Sequence, residues 1–208
     1  MSRYEASGTE AGSEPGSNGE VLANLVGITN ADEMNDIEME LLEALYAEIF
    51  GDRFPDSQLT VLDLKTWHWR WLGNIYEWAG EERSVNMAKG GFHFAAAAQI
   101  PSLLAKFEQN VLQPYTPCRE SERKRLARII AEAHVEFILI HPFREGNGRM
   151  GRLLADIMSV QAGHGLLDFS SWDADKNVYI NAIQSGMDMN YERMAALVEE
   201  SIVYNRHN

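Results

Sequence analysis

A histidine, a carboxylate and three guanidinium groups are gathered in the twelve residues His141-Pro-Phe-Arg-Glu-Gly-Asn-Gly-Arg-Met-Gly-Arg152. Free imidazole titrates near pH 6.5, so His141 is the side chain of this segment suited to accepting a proton at neutral pH. Glu145 offers a hard oxygen donor of the kind that holds Mg²⁺ while phosphate oxygens and water complete its octahedron. Gly146-Asn147-Gly148 turns the chain and helical patterning resumes at Arg149, which puts a helix start here with its first amides unpaired. Such a start carries roughly half a positive charge and gathers anions, phosphate above all. Arg149 and Arg152, three apart, share a face of the new helix and add charge-assisted bonds. Arg144, Arg149 and Arg152 against Glu145 give the segment a charge of +2, inside a chain whose formal charge is −13. That local reversal of sign points to a site for a phosphorylated ligand with a base beside it.

The elements that must hold these groups read as mostly helical. Ala31 to Phe50 sets Met34, Ile37, Leu41, Leu42, Leu45 and Ile49 on one stripe at spacings of three and four. After a turn rich in Gly, Pro and Asp, a second stripe runs through Leu64, Trp67, His68, Trp71, Leu72, Ile75 and Trp78 and is expected to stop near Gly80. Ser84 to Met87 and Phe92 to Phe94 flank Ala88-Lys-Gly-Gly91, which predicts a small β-hairpin, because glycine supplies the positive φ that such a turn needs. Helices follow at Ile100 to Leu112 and Ser121 to Ile140, with Thr116-Pro117 as candidate cap and first residue of the latter. Beyond the glycine turn the pattern predicts helices over Arg149 to Gln161, Lys176 to Gln184 and Tyr191 to Tyr204. His68 and His134 lie on apolar helical faces and are expected as hydrogen-bonded core residues. Trp67 and Trp71 face the core, and Trp69 is left over as a candidate partner surface.

The bulk composition excludes several classes. At 208 residues, 45% hydrophobic, the chain can bury one sizeable core and one domain is the default. Its acidity argues against a nucleic-acid partner, whose phosphates are bound by displacing counterions with Lys and Arg. Cys118 is the single cysteine, expected as a buried thiol, and one thiol forms no intramolecular disulfide. No apolar run approaches the roughly 20 residues that a bilayer requires, and no membrane partner is expected. Met1 to Glu20, rich in Ser, Gly and Glu, reads as a disordered tail and not as a secretory signal, so a cytoplasmic location is expected.

His141 to Arg152 also matches, at every defining position, the Fic family signature H-x-F-x-[DE]-G-N-G-R-x-x-R. Trp78-Ala79-Gly80 with Arg83 resembles the stretch that precedes the flap in that family, and Lys89-Gly90-Gly91-Phe92-His93-Phe94 resembles the flap hairpin. The resemblance covers roughly Leu59 to Glu200. It implies a mainly α fold, a Fic-type helical bundle with a small β-hairpin flap, in which residues 21–58 form an N-terminal helical region and 59–204 the Fic domain. It implies protein adenylyltransferase activity, with ATP as substrate and Mg²⁺ as cofactor, acting on a Ser, Thr or Tyr hydroxyl of a target protein. By the same resemblance His141 is the catalytic base, Glu145 the metal ligand and Phe143 a buried anchor. Gly146, Asn147 and Gly148 form the anion hole, and Arg149 and Arg152 bind phosphates. Lys89, Gly90, Gly91 and Phe92 dock the target by strand addition. Tyr179 and Asn181 are candidates to touch the adenine. Thr29-Asn-Ala-Asp-Glu33 resembles the family's inhibitory motif [ST]-x-x-x-E-[GN] except at Met34, which makes Glu33 a candidate to restrain Arg152 in cis. The plainer alternatives are that Thr29 caps a helix, with Glu33 in its first turn, and that a separate antitoxin protein restrains the enzyme as part of a toxin–antitoxin pair. Transfer of another nucleotide or phosphate-linked group, and a non-catalytic interaction module, are the competing functions.

Overall fold

The computed structural model describes residues 5–7, 12–52 and 54–203. In chain order its elements are β1 (Glu5–Ser7), α1 (Ala31–Ile49), α2 (Val61–Leu72), β2 (Asn86–Lys89), β3 (Phe92–His93), α3 (Ile100–Phe107), α4 (Gln113–Tyr115), α5 (Arg123–Ile140), α6 (Asn147–Gln161), α7 (Ser170–Ala174), α8 (Lys176–Ser185) and α9 (Glu192–Ser201). The fold is mainly α, as expected, with one three-stranded antiparallel sheet in the order β1-β2-β3. Two compact units interleave along the chain. The first is Met1–Phe54, Val61–Leu104 and His141–Asn147; the second is Pro55–Thr60, Ala105–Ile140 and Gly148–Asn208. Among the described residues no helix is long and apolar enough to cross a membrane.

In the first unit, α1 buries Met34, Leu42, Leu45 and Ile49, the expected stripe. Its cap is Asn30 and not Thr29: Asn30 Oδ1 accepts from the amides of Asp32 at 2.9 Å and Glu33 at 3.0 Å. Asparagine holds the cap position that threonine would fill less well, and both acids then sit in the first turn, where the helix dipole favours them. Glu38 is buried on the same face. Its carboxylate accepts from the Tyr76 hydroxyl at 2.8 Å and its carbonyl from Trp71 Nε1 at 2.8 Å. Helix α2 buries Trp67, His68 and Trp71 and leaves Trp69 61% exposed, as the alternation required. It ends at Leu72, earlier than expected. The amides of Ile75 and Tyr76 both return to Leu72 O, so tight turns follow, and they place Ile75 and Tyr76 in the core at intervals that imitate a helix.

The hairpin is present with a tighter turn than expected. Lys89 pairs with Phe92 and Ala88 with His93, so two residues, Gly90 at φ 57° and Gly91 at φ 80°, make the whole turn. Two positive φ values are the requirement of a type I′ turn, whose twist matches that of the flanking strands. The expectation of disorder over residues 1–20 is corrected in part. Glu5–Ser7 form β1 against β2, Ser13 bridges Leu22, and Glu14 accepts the Asn24 amide at 3.0 Å while Ser17 Oγ donates to Glu14 O at 2.8 Å. Local side-chain bonds to backbone fold a stretch whose composition offers no core. Residues 1–4 and 8–11 lie outside the described residues.

In the second unit α5 packs along α9; α5 buries Leu126, Ile130 and Phe137, and α9 buries Met194, Leu197 and Val198. Helix α5 is capped by Glu122, whose carboxylate accepts from the amides of Lys124 at 3.0 Å and Arg125 at 2.9 Å. Thr116-Pro117, expected at that cap, forms a corner instead: Thr116 Oγ1 donates to Leu112 O and accepts from Leu59 N, both at 2.7 Å. Cys118 is the buried thiol anticipated.

His134 is a fully buried core histidine with Nε2 2.8 Å from the Tyr179 hydroxyl. Burial lowers its pKa from 6.5 to about 4. The unfolded chain then takes up this proton first as pH falls, so the associated stability is intact above pH 6.5 and is lost between there and about pH 4. The full loss amounts to about 3 kcal/mol. Urea denaturation at pH 7 and pH 4.5 should show this acid loss in the wild type and a clearly smaller one in His134→Gln; equal losses would show that His134 does not drive it.

Candidate active site

Helix α5 ends at Ile140 because Pro142 cannot continue it. The turn is made at His141, which adopts φ 51°, a left-handed conformation costing about 1–3 kcal/mol for a residue with a β-carbon. Arg83 holds that strained backbone in place. Its Nε donates to His141 O at 2.7 Å, its own amide to Pro142 O at 2.8 Å, Nη1 to Val85 O at 2.5 Å and Nη2 to Ala95 O at 2.6 Å. Phe94, from the end of the hairpin, stacks on the His141 ring at 3.7 Å and 17°. Position and ring plane of the imidazole are therefore both fixed within the first unit.

The next residues form a self-bonded loop. Phe143 is the buried anchor expected, stacked at 3.9 Å and 8° on His68. His68 Nδ1 accepts the Gly80 amide at 2.8 Å, which leaves Nε2 as the protonated nitrogen facing Glu145 O at 3.0 Å. Asn147 turns its side chain back on the loop: Oδ1 accepts from Phe143 N at 2.9 Å and Nδ2 donates to Phe143 O at 2.7 Å. Gly146 gives its amide to Glu145 Oε1 at 2.9 Å. Gly146 is at φ 81°, and an added β-carbon would come within 2.6 Å of Trp71 Cζ3, so only glycine fits.

In the second unit α6 carries Gly148, Arg149 and Arg152. An added β-carbon at Gly148 would meet nothing within 4 Å, so the first turn of the helix is open on that side. Arg149 is half-buried. Arg152 forms a fork with Asp173 of α7, Nη2 to Oδ1 at 2.7 Å and Nη1 to Oδ2 at 3.1 Å, with Phe169 and Trp172 rings 5.2 and 5.9 Å from the guanidinium carbon. Hydrogen bonding from Arg152 holds the Asp173 carboxyl below its usual pKa range. Asp173 was missed by sequence reasoning, because five residues of α7 are too few for periodicity to mark. Glu33, the expected partner of Arg152, is exposed in the first turn of α1; the carboxylate that engages Arg152 is Asp173. Of the adenine candidates, Tyr179 points its hydroxyl at His134 and stacks on Trp172 at 5.4 Å and 25°, while Asn181 is exposed.

Among the described residues no three His, Cys, Asp or Glu side chains group as a metal cage. A single carboxylate, Glu145, is the donor set that suits a magnesium ion arriving on a polyphosphate, whose oxygens and waters supply the other ligands.

A mainly helical fold that carries a clamped imidazole on a loop leading into a glycine-rich helix start defines the class. The chain belongs to the Fic/DOC family, whose model matches residues 58–159. It is 28% identical over 150 residues to the probable protein adenylyltransferase y4lH of Sinorhizobium fredii, covering 70% of this chain and 74% of that one. It is 25% identical over 183 residues to the protein adenylyltransferase VbhT of Bartonella schoenbuchensis, covering 88% of this chain and 37% of that one. Among solved structures it is similar to the N-terminal Fic domain of a putative cell filamentation protein of Bartonella quintana with bound ADP, at 26% identity and TM-score 0.73, covering 89% of this chain and 92% of that one. The same fold recurs in the N-terminal Fic domain of a Bartonella effector from strain AR 15-3, at 22% identity and TM-score 0.75, covering 91% and 90%.

Proposed function

We propose that this chain is a protein adenylyltransferase that moves AMP from ATP to a Ser, Thr or Tyr hydroxyl of a target protein and releases pyrophosphate. The observation that carries the reading is the fixed His141 ring at the head of an unbroken Fic signature. Two curated relatives bear the name of that activity, and a 26% identical Fic domain was solved with ADP. His141 takes the proton of the target hydroxyl as its oxygen bonds to the α-phosphorus; the bond to the oxygen bridging to the β-phosphate breaks and pyrophosphate leaves. The open first turn of α6 at Gly148 receives phosphate through main-chain amides, and Arg149 and Arg152 add charge. Glu145 would hold Mg²⁺, which supplies charge neutralisation to the phosphates when bound. The flap at Lys89, Gly90, Gly91 and Phe92 receives the target backbone. Arg152 is paired with Asp173, so restraint through this arginine, whether by Glu33 or by a separate antitoxin protein, would exchange that partner.

Incubation with Mg²⁺ and α-labelled or γ-labelled ATP in a lysate, beside His141→Ala, tests this. Label from the α position only, lost in the variant, is expected. Label from γ alone would mean phosphoryl transfer, and none from either would favour a binding module. Arg152 has a separate signature. Arg152→Ala should weaken ATP binding about tenfold, the effect of one charge-assisted bond, and AMP binding less than about twofold. Calorimetry showing equal losses for both nucleotides would place Arg152 away from the terminal phosphates.

A further inference from the structure

Strand β2 is the middle of the sheet, and one of its two neighbours comes from far away in sequence. Glu5, Ala6 and Ser7 pair antiparallel with Ala88, Met87 and Asn86, while β3 takes the other side. Without β1 the outer edge of β2 would present a row of unpaired amides and carbonyls, the template onto which an extended segment of another protein adds. The rung through Met87 leads to the imidazole. Phe94 N donates to Met87 O at 3.1 Å, and the Phe94 ring stacks on His141 at 3.7 Å. Ala6 stands on the far side of the same rung. With strands about 4.8 Å apart, its backbone lies two spacings, about 10 Å, from that of Phe94.

Among the described residues β1 meets β2 over three rungs, a length that is marginal by itself. A covered edge is protected from indiscriminate pairing, while a cover of three residues can be exchanged for a strand that brings further contacts.

We propose that β1 is a built-in occupant of the target-docking edge: an acceptor protein presents an extended segment that displaces residues 5–7 and takes their register on β2. The identity of the incoming strand as a hydroxyl-bearing substrate rests on the transferase reading above; the exchange itself does not. Recognition is by main-chain hydrogen bonds, so the partner is a flexible, extended stretch beside a Ser, Thr or Tyr, with little demand on its other side chains.

The test uses the full chain with Ala6→Pro/Ser7→Pro. Alternate amides of an edge strand face its partner, so two successive prolines remove whichever donor the ladder uses. Helical circular dichroism confirms folding, and the two single prolines, one of which removes a ladder donor, are compared if the pair fails to fold. The probe is a fluorescent peptide of residues 3–10. It should bind the proline variant at least about tenfold more tightly than the wild type, and the exchange-protected amides of Asn86–Lys89 should lose protection about tenfold in the variant and regain it when the peptide is added. Equal peptide binding by the two proteins, or unchanged exchange at β2, would overturn the proposal and make β1 a fixed cover. No nucleotide enters these readouts. Peptide exchange without incorporation of α-label would refute the transferase alone, and label without peptide exchange would refute the occupant alone.

Discussion

The variant His141→Ala should lose AMP transfer by about 10² to 10⁴-fold, the usual loss when a general base is removed. ATP affinity should change by less than about threefold, because the amides and arginines assigned to phosphate lie in α6, a separate stretch of chain. A structural role for His141 predicts something different. Its backbone is held at a positive φ by Arg83 and its ring by Phe94, so a merely structural residue would lower stability and activity together. Transfer rates under saturating ATP, beside urea denaturation, separate the two. Retention of more than about a tenth of wild-type rate in a folded variant would remove His141 from the chemistry.

Gly146→Ala should be the most damaging single methyl in the loop. The backbone is at φ 81°, which costs alanine about 1–2 kcal/mol. The new carbon meets Trp71 Cζ3 at 2.6 Å and Cη2 at 2.9 Å, and this indole cannot retreat because it is buried and its Nε1 is bound to Glu38 O. Overpacking of a rigid core adds about 1–3 kcal/mol, so a total loss of about 2–5 kcal/mol is expected. The Gly146 amide is bonded to Glu145 Oε1, so any shift of the loop also moves the carboxylate assigned to the metal. Activity should therefore fall even in the folded fraction. A destabilisation below about 1 kcal/mol in urea would mean that the loop yields more easily than the contact distances imply.

The helices were legible because their apolar spacing is regular: α1, α5, α6, α8 and α9 lie within two or three residues of the periodic stretches. Tertiary demands override the pattern where the reading failed. Ile75 and Tyr76 are buried by turns after Leu72, and α7 shows no period at all. Gly-Gly announced the hairpin, but nothing in Glu5-Ala-Ser7 announces a strand, since its partner lies about eighty residues away and three main-chain rungs need no side-chain signal. Within the signature the residue types were readable and their orientations were not. That Asn147 bonds back to Phe143, that Gly146 caps Glu145, and that Arg83 clamps His141 are facts of distance between segments. Asp173 on Arg152 was unreadable for the same reason.

The chain contains two Asn-Gly steps, Asn18-Gly19 and Asn147-Gly148. In such steps the following amide nitrogen, unhindered by a side chain, can attack the asparagine carboxamide and expel ammonia, and water opens the resulting cyclic imide to aspartate or isoaspartate. Asn18 stands exposed in a turn at φ 54°. Asn147 is fully buried, in the first turn of α6, with oxygen and nitrogen of its carboxamide both tied to Phe143. Ageing of the polypeptide should accordingly convert the surface asparagine and spare the one inside the signature, so that a clamp serving geometry also grants the loop chemical longevity.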